Sequence, residues 1–496
     1  MTVIAKSKAE GPVIRLEKYE LPEGWILAPL CDVAKPSKEK IQPSECRSSP
    51  YLSLEHIEAN TGRIIGRGTG ADITSTKAVF HAGDVLYGKL RPYLNKVCIP
   101  DFDGICSTDI LVFPKSKILQ SQLLKMFLSG NKVVRFANHH MQGVQLPRIS
   151  FEKLSELDFP LPPPAEQQRI VARVELLLAG VNAARDRLAK VPAILKRFRQ
   201  SVLAAACSGR LTADWRQQNP DVETDYRLYA KNSNVGQQKK EPVGPAKGTF
   251  EELPDKWHRV SLASICADIV DCSHSTPKWT EHGRLCIRTT NFLPGLLNLT
   301  NKQYVSEETY KKRIERLAPR AGDVLYSREG GILGVACIIP KHVELCLGQR
   351  MMLMRPVTNF SSEFFMHVLN CPETIAAVRE MTGGSASPHL NVGDVKQFAI
   401  PLPSVVEQQE IVHRVELLFN LADKIEKRVK AAMARTEKLT QTILTKAFRG
   451  ELVPTEAELA RREGRQYESA GVLLERIKAQ CKPKQKTYYL ESKTKV

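Results

Sequence analysis

Four short blocks of the sequence occur twice, in the same order and more than 200 residues apart. The matched segments are 21–25 with 253–257, 82–87 with 321–326, 160–177 with 401–418, and 208–211 with 449–452. The second pair, Ala-Gly-Asp-Val-Leu-Tyr, is identical in both copies, whereas the stretches between the blocks differ freely. A repeat of this length is the size of a domain, so the chain is predicted to contain two copies of one design with different variable surfaces.

Each copy begins with short β-prone runs separated by Gly, Pro and Asn and ends in a long helical pattern. This predicts a mixed α/β fold in which two globular domains are separated by two long antiparallel coiled-coil helices, with an internal pseudo-two-fold repeat. The predicted segments are an N-terminal extension (1–20), a first globular domain (21–163), a first helix (164–215), a polar linker (216–252), a second globular domain (253–403), a second helix (404–450), a C-terminal helical segment (451–480) and a basic tail (481–496).

The two helical segments carry apolar residues in alternating steps of four and three, which is typical of a coiled-coil seam. The seam residues are Ile170, Val174, Leu177, Val181, Leu188 and Leu195 in the first helix, and Ile411, Val415, Leu418, Ile425, Val429 and Leu439 in the second. At 1.5 Å per residue each helix would be on the order of 60 Å long, and an antiparallel pair would hold the globular domains apart. The alternative is that each stripe packs on its own domain. Pro192 is expected to bend or interrupt the first helix.

The chain is basic, with a formal net charge of +18 and a pI near 9.3. Such a surplus favours a polyanionic partner, because neutralised phosphates release counterions, although an inert basic surface remains the alternative. The twelve cysteines are scattered without a C-x-x-C pair, which fits a reducing cytosol and predicts a cytoplasmic protein. No run approaches the roughly 18 apolar residues of a membrane span, so no membrane partner is expected.

A search for catalytic motifs finds none. Gly83 to Lys89 reads G-x-x-x-x-G-K, but Leu90 stands where a phosphate-binding loop needs Ser or Thr, and the intervening residues resemble a strand. No Asn-Pro-Pro-aromatic, G-x-S-x-G or H-E-x-x-H pattern occurs. The chain is therefore expected to contain no catalytic residue, no metal site and no cofactor site.

Several motifs resemble a known family. They are Pro-Leu-Pro-Pro-Pro-Ala-Glu-Gln-Gln at 160–168, Ile-Leu-Lys-Arg-Phe-Arg-Gln at 194–200, Lys-Ala-Phe-Arg-Gly-Glu-Leu at 446–452 and Gly-Val-Leu-Leu-Glu-Arg-Ile-Lys-Ala at 471–479. Together with the duplicated plan, they are similar to the specificity (S) subunit of type I restriction–modification enzymes, in the subgroup typified by the Escherichia coli K enzyme. The resemblance covers nearly the whole chain, from about residue 21 to residue 480.

This resemblance implies a non-catalytic, DNA-binding role. Each globular domain would be a target-recognition domain that reads one half of a split double-stranded DNA sequence. The helices would set the spacing and dock two methyltransferase (M) subunits, which bring S-adenosylmethionine and methylate adenine. Restriction (R) subunits would bring ATP-driven translocation and cleavage, so S-adenosylmethionine, ATP and Mg are expected on partner subunits. The alternatives are a self-contained DNA nuclease or methyltransferase-associated protein with unrecognised catalytic residues, and a coiled-coil adaptor that binds no DNA.

Base reading needs hydrogen-bonding side chains at a groove and basic side chains on phosphates. Loops after the repeated strand and before the proline-rich helix entry have that composition. The DNA-binding candidates are Lys89, Arg91, Tyr93, Asn95, Lys96, Gln145 and Arg148 in the first copy, and Arg328, Ser385 and His389 in the second. Replacing Arg91 or Arg328 by Ala is expected to weaken binding to the cognate duplex. The alternative for each residue is an ordinary polar surface loop.

Overall fold

The computed structural model of the chain describes residues 21–116, 119–225, 227–230, 250, 252–383 and 388–481. The predicted N-terminal extension, most of the linker, the tail from residue 482 and the candidate Ser385 lie outside the described residues. The chain divides into two compact units: unit 1 comprises residues 1–188 and 431–496, and unit 2 comprises residues 189–430. Each unit therefore contains one globular part and a portion of each long helix.

Unit 1 combines three small sheets with short helices. Its strands are β1 (Ile26–Pro29), β2 (Lys40–Ile41), β3 (Pro50–Leu52), β4 (Gly68–Thr69), β5 (Lys77–Phe80), β6 (Val85–Gly88), β7 (Val97–Cys98), β8 (Gly104–Cys106), β9 (Ile110–Phe113) and β10 (Asp158–Leu161). They form sheets of order β2-β5-β8-β3-β4, β7-β6-β9 and β1-β10. The helices are α1 (Leu30–Val33), α2 (Ser121–Leu128), α3 (Asn131–His140) and α4 (Phe151–Leu154), before the long helix α5 (Pro164–Cys207).

Unit 2 begins within α5 and continues through two short helices, α6 (Ala213–Gln218) and α7 (Arg227–Ala230). Its strands are β11 (His258–Ser261), β12 (Cys266–Asp271), β13 (Trp279–Thr280), β14 (Arg284–Ile287), β15 (Phe292–Leu293), β16 (Leu296–Leu297), β17 (Tyr304–Val305), β18 (Val324–Ser327), β19 (Ala336–Ile338), β20 (Cys346–Leu347), β21 (Met351–Pro356) and β22 (Ala399–Leu402). The helices among them are α8 (Leu262–Ile265), α9 (Glu307–Ile314), α10 (Ser362–Leu369), α11 (Pro372–Met381) and α12 (Val392–Lys396), before the long helix α13 (Val405–Ala447). The main sheets have the orders β12-β21-β18-β19 and β13-β17-β14-β20.

The last three residues of the identical hexapeptide, Val-Leu-Tyr, begin an inner strand of one sheet in each unit, β6 and β18, which we call the central strands. In unit 1, Val85 and Tyr87 face one hydrophobic core and Leu86 faces another, because side chains alternate across a strand. The same alternation places Val324 and Tyr326 in one core of unit 2 and Leu325 in a second. The strand is buried on both faces, which explains why its sequence is the same in both copies.

The other repeated blocks join each globular part to a long helix. The indole of Trp25 donates to Glu166 of α5 at 2.9 Å, and the indole of Trp257 donates to Glu407 of α13 at 2.8 Å. The strand after each Trp pairs antiparallel with the strand before that helix, β1 with β10 and β11 with β22. The Leu-Pro-x-x-Trp and Glu-Gln-Gln repeats are therefore two parts of one contact between the globular part and the long helix.

Within each unit, the beginning of one long helix lies beside the end of the other. In unit 1, Val174 and Val181 of α5 share a core with Ile443 and Ala447 of α13. In unit 2, Arg199 of α5 binds Asp423 at 2.6 Å and Glu426 at 3.1 Å on α13. The helix portions therefore run antiparallel in both units. The predicted mixed α/β fold with two long helices is confirmed.

One seam residue of the helix prediction is corrected, and of the two outcomes expected at Pro192, a bend or an interruption, the interruption does not occur. The first helix is a single element from Pro164 to Cys207 and is not interrupted at Pro192. A proline removes one donor, at a cost of about 3 kcal/mol, and burial of apolar residues along the same helix outweighs that cost. Leu439 is 49% exposed and is removed from the seam, whereas the other predicted seam residues are buried or half-buried. A straight helix of 3.6 residues per turn drifts from a 3.5-residue stripe, and here Leu444 is buried instead.

The C-terminal segment of unit 1 contains α14 (Glu456–Glu463) and α15 (Ala470–Cys481). Glu456 is buried and forms ion pairs with Arg169 of α5 at 2.7 Å and Arg465 at 2.6 Å. The eleven cysteines from Cys31 to Cys371 are free, and all of these but Cys31 are buried. Across the described residues, no helix combines the length and apolar character that a membrane crossing requires.

Candidate nucleic-acid interface

The two candidate segments of unit 1, although more than 40 residues apart in sequence, come together just beyond the central strand. The backbone N–H of Arg91 donates to the carbonyl of Pro147 at 2.8 Å, and that of Ile149 donates to Lys89 at 3.0 Å. We call residues 88–91 with 147–149 the unit 1 junction. It places Lys89, Arg91, Gln145 and Arg148 in one region of the surface.

Unit 2 builds the same junction from residues 327–330 and 388–390. The N–H of Gly330 donates to the carbonyl of Pro388 at 3.2 Å, and that of Leu390 donates to Arg328 at 2.9 Å. The two units therefore share one backbone scaffold at this place, while their side chains differ. His389 is exposed here, and its backbone forms an isolated antiparallel β-bridge with that of Glu329.

A projecting loop, residues 142–148, continues from the unit 1 junction. Gln142 and Arg148 close it through two reciprocal backbone hydrogen bonds, both of 2.8 Å. Residues 142–146 are exposed, and they include Gln145 and the apolar residues Val144 and Leu146. The sequence-based reasoning selected the polar members of this loop and missed the apolar ones, since exposure cannot be read from residue type.

The guanidinium of Arg148 is occupied by its own unit. Its Nε and one Nη donate to the two carboxylate oxygens of Asp109 at 2.7 and 3.2 Å, and the other Nη donates to the carbonyl of Leu146 at 3.2 Å. Hydrogen bonding to Asp109 raises the pKa of Arg148, so the side chain stays charged. Arg148 therefore holds the loop in place. The sequence alone gives no signal that Asp109 is its partner.

Arg91 and Tyr93 are exposed, and Lys89 is half-buried. Arg91 has a φ of +50°, in the left-handed region that disfavours residues with a side chain. Gly330 occupies the same place in the unit 2 junction, with a φ of +82°. An arginine is thus held where the other copy uses glycine, although L-residues are destabilised there by roughly 1–2 kcal/mol.

Two unit 1 candidates are structural instead. Asn95 is buried and its side-chain amide donates to the carbonyl of Ser129 at 3.0 Å. The ammonium group of Lys96 donates to the carbonyl of Leu54, and desolvation lowers the pKa of this lysine. Both side chains are committed to stabilising their own fold, and we withdraw them from the candidates.

Arg328 of unit 2 is also withdrawn. Its side chain is 7% exposed, and it donates to both oxygens of Asp271 at 2.7 and 2.9 Å and to the carbonyl of Leu390 at 3.1 Å. Glu329 adds a further ion pair at 2.9 Å. A guanidinium with these partners has no free donor edge for a base, so the expected loss of DNA binding in Arg328→Ala no longer follows from direct contact.

The long helices present two other surface features. Exposed basic residues lie along α13: Lys424, Lys427, Arg428, Arg435 and Lys438. Leu176 of α5 and Leu417 of α13 occupy the same position of the repeated Arg-Val-Glu-Leu-Leu block, and they are 66% and 57% exposed. The preceding valines, Val174 and Val415, are fully buried, so the exposed leucines are not seam residues.

Among the residues that the structure describes, no group of three or more His, Cys, Asp or Glu could hold a metal ion. Residues 85–88 of the apparent phosphate-loop motif form strand β6, in agreement with the interpretation of that motif as a chance match.

Comparison with known proteins identifies the family. Residues 22–191 and 287–434 match the family described as the type I restriction modification DNA specificity domain. The chain is 30% identical to the type I restriction enzyme EcoKI specificity subunit of Escherichia coli strain K12 over 93% of this chain and 96% of that protein. It is 32% identical to the EcoBI specificity subunit of Escherichia coli over 69% of this chain and 68% of that protein.

A solved structure from work on complex assembly and conformational transition of the type I R-M system has the same fold. Its TM-score is 0.64 at 23% identity, and the match covers 88% of this chain and 100% of that one. The protein is a member of the family of type I restriction–modification specificity subunits, whose role is sequence-specific DNA recognition.

Proposed function

We propose that this chain reads a split DNA sequence, with unit 1 reading one half-site and unit 2 the other. The observation that carries the proposal is the shared junction, in which matching backbone hydrogen bonds present different side chains. One scaffold with two sets of side chains suits two different base sequences, because base edges are distinguished by hydrogen-bonding and apolar groups. The remaining candidates are Lys89, Arg91, Tyr93 and Gln145 in unit 1 and His389 in unit 2, while Ser385, outside the described residues, stays a prediction. Arg148 is assigned to support of the loop.

Arg91 is the strongest single candidate for a DNA contact. Its side chain is exposed, and it is retained at a backbone position where unit 2 has glycine. Since a left-handed arginine is unfavourable for the fold, its presence is better explained by binding than by stability. A bidentate contact with guanine would contribute roughly 1–3 kcal/mol and a phosphate contact mainly a salt-dependent part.

The long helices are proposed to set the distance between half-sites and to dock two methyltransferase subunits. Docking is supported by Leu176 and Leu417, which are exposed at equivalent positions of a block that both copies repeat. Packing among the described residues leaves both leucines largely exposed. Two copies of the same partner, one on each repeat, would require both.

The chemistry of the complex is assigned to other subunits. We propose that this chain is non-catalytic and acts in the cytoplasm. S-adenosylmethionine would be bound by the methyltransferase subunits, and ATP and Mg by restriction subunits.

The test of split recognition is duplex binding by the full chain reconstituted with its methyltransferase subunits. The duplex carries the sequence that methylation mapping of the host genome identifies. Inserting base pairs between the half-sites should weaken binding roughly a hundredfold or more, because both recognition units can no longer engage. A duplex with altered spacer bases of unchanged length is the control. Equal affinity for all three duplexes contradicts the proposal.

Docking is tested by the stoichiometry of the complex, measured by native mass spectrometry. Leu176→Ala or Leu417→Ala should each weaken one methyltransferase site by roughly tenfold to a hundredfold, since a buried leucine contributes about 1.5–3 kcal/mol. The double variant should lose both copies. Leu439→Ala is the matched control, because Leu439 is an exposed leucine of α13 outside the repeated block. Retention of two copies by the double variant contradicts the docking assignment.

A further inference from the structure

The tip of the 142–148 loop exposes two apolar side chains to water. Val144 is fully exposed and Leu146 is 49% exposed, although each would gain about 1.5–3 kcal/mol from burial. They flank Gln145, which is also exposed. Single exposed apolar residues are common, but two at the tip of a projecting loop indicate a surface that is covered in a complex.

This loop is held in one shape before any partner binds. The Gln142–Arg148 backbone bonds close it, and Arg148 links the carbonyl of Leu146 to Asp109. Gly143 turns the chain with a φ of +97°, and a Cβ atom there would lie 3.1 Å from the carbonyl oxygen of Leu146. A preorganised tip loses little conformational entropy on binding, so its apolar contacts are available for affinity and selectivity.

The surroundings of the tip indicate what covers it. Residues 88–96 and 142–148 include four basic residues, of which Lys96 is bonded to Leu54 and Arg148 is paired with Asp109. The two other cationic side chains, the exposed Arg91 and the half-buried Lys89, lie beside the loop. An apolar tip with cationic neighbours matches the edge of a DNA groove, where phosphates flank the bases. The apolar group on a base edge of the major groove is the C5-methyl of thymine.

We infer that Val144 and Leu146 are specificity residues that contact thymine C5-methyl groups, so that unit 1 reads at least one A·T pair. This inference rests on the proposed function of unit 1 as the reader of one half-site. Gln145 lies between the two apolar residues, where its amide can bond to the adenine of the same pair. The corresponding stretch of unit 2, residues 383–388, contains no Val, Leu or Ile. This pair of branched apolar residues therefore belongs to the first copy only.

The experiment replaces each thymine of the mapped site, in turn, by deoxyuridine, which removes only the methyl group. Binding is measured with the full chain in its methyltransferase complex. At one or more positions of a single half-site, the wild-type complex should bind about fourfold more weakly, which is the effect of losing one buried methyl-sized group, about 0.8 kcal/mol. Val144→Ala or Leu146→Ala should weaken binding to the thymine duplex and should remove this discrimination.

The matched control is Ile65→Ala, which truncates another exposed apolar residue of unit 1 outside the loop. It should leave both affinity and the thymine preference unchanged. A flat deoxyuridine scan overturns the inference, as do Val144→Ala and Leu146→Ala complexes that keep the full discrimination. Loss of subunit assembly in these variants also overturns it, since it would make the tip a protein contact. Failure of the wild-type complex to prefer the mapped site over a scrambled duplex would instead defeat the proposed function itself.

Discussion

Units 1 and 2 each have an arginine–aspartate pair at the junction of the central strand with the segment that returns to it (147–149 or 388–390), but the arginine lies on different segments. In unit 1, Arg148 lies on the returning segment and reaches Asp109. In unit 2, Arg328 follows the central strand and reaches Asp271 and the carbonyl of Leu390 on the returning segment. The same mechanical requirement is met by different residues. A shared scaffold therefore does not imply that arginines near it have a shared role.

The largest expected effect separates these two arginines. Arg328→Ala should lower the free energy of unfolding of unit 2 by about 3 kcal/mol, because it leaves the largely buried Asp271 carboxylate with only the exposed His274 beside it. Arg148→Ala should lower that of unit 1 far less, since the side chain is 42% exposed and water can solvate Asp109. Hydrogen exchange resolved by peptide measures both units in the same full-length chain.

Arg328→Lys sharpens the comparison. Lysine keeps the positive charge but cannot form the paired hydrogen bonds. The free energy of unfolding of unit 2 should therefore lie between those of the wild type and Arg328→Ala. Equal losses in unit 1 and unit 2 for the two alanine variants would show that burial of the pair does not govern its contribution.

A second difference concerns acid stability. Helices α2 and α10 occupy corresponding places, and the sixth residue is Met126 in unit 1 and His367 in unit 2. Burial lowers the pKa of His367 to about 4, although Glu363 acts in the opposite direction. A histidine with a pKa below its unfolded value of about 6.5 binds its proton more weakly when folded. Unit 2 should therefore lose stability as the pH falls below about 6.5, by up to about 3 kcal/mol near pH 4.

His367→Met supplies the unit 1 residue and removes this titration. Urea unfolding of both chains between pH 7.5 and pH 4 should show the variant gaining about 3 kcal/mol relative to the wild type as the pH falls. Carboxylates titrate in both chains and cancel in the difference. Parallel profiles would mean that the pKa of His367 is not lowered in the folded state.

The sequence predicted the features that depend on periodicity and repetition. The two long helices and the central strands follow from apolar spacing, because burial of a stripe or of both strand faces leaves a regular pattern. It failed where two distant residues form a specific pair. Asn95, Lys96 and Arg328 have the residue types of a DNA contact, but their partners Ser129, Leu54 and Asp271 lie 34 to 57 residues away.

The loop tip illustrates a second limit of the sequence. By residue type alone, Val144 and Leu146 would be expected in the core. Only their exposure in the structure identifies them as a surface feature. Leu439 shows the same limit on a helix, where a small drift of the stripe moves a leucine from seam to solvent. Residue type predicts where a side chain is stable and does not reveal where the fold has placed it.

A third comparison uses the carboxylates that bind the repeated tryptophans. Glu407 accepts from Trp257, Thr212 and Arg216, whereas Glu166 accepts from Trp25 and the N–H of Glu456. Glu407→Gln should lower the free energy of unfolding by about 2 kcal/mol, since it loses a charge-assisted bond in a buried place.

Glu166→Gln should cost less, about 1 kcal/mol, because burial already raises the pKa of Glu166 and penalises its ionised form. Thermal unfolding of both variants beside the wild type checks the order. A larger loss for Glu166→Gln would show that the backbone N–H of Glu456 matters more than the Arg216 ion pair.

The smallest expected stability effect is at Arg91, which corresponds to Gly330. Relief of the left-handed strain favours Arg91→Gly, while the greater freedom of glycine in the unfolded chain opposes it. The variant should therefore be about as stable as both the wild type and Arg91→Ala, which keeps the strain without the guanidinium. Urea unfolding and duplex binding are measured on the same preparations. Both variants should bind the mapped duplex more weakly, by roughly tenfold if the guanidinium contacts a base. A glycine variant that is more stable and binds equally well would mean that Arg91 is only a strained surface residue, and unit 1 would then have lost its strongest candidate reader.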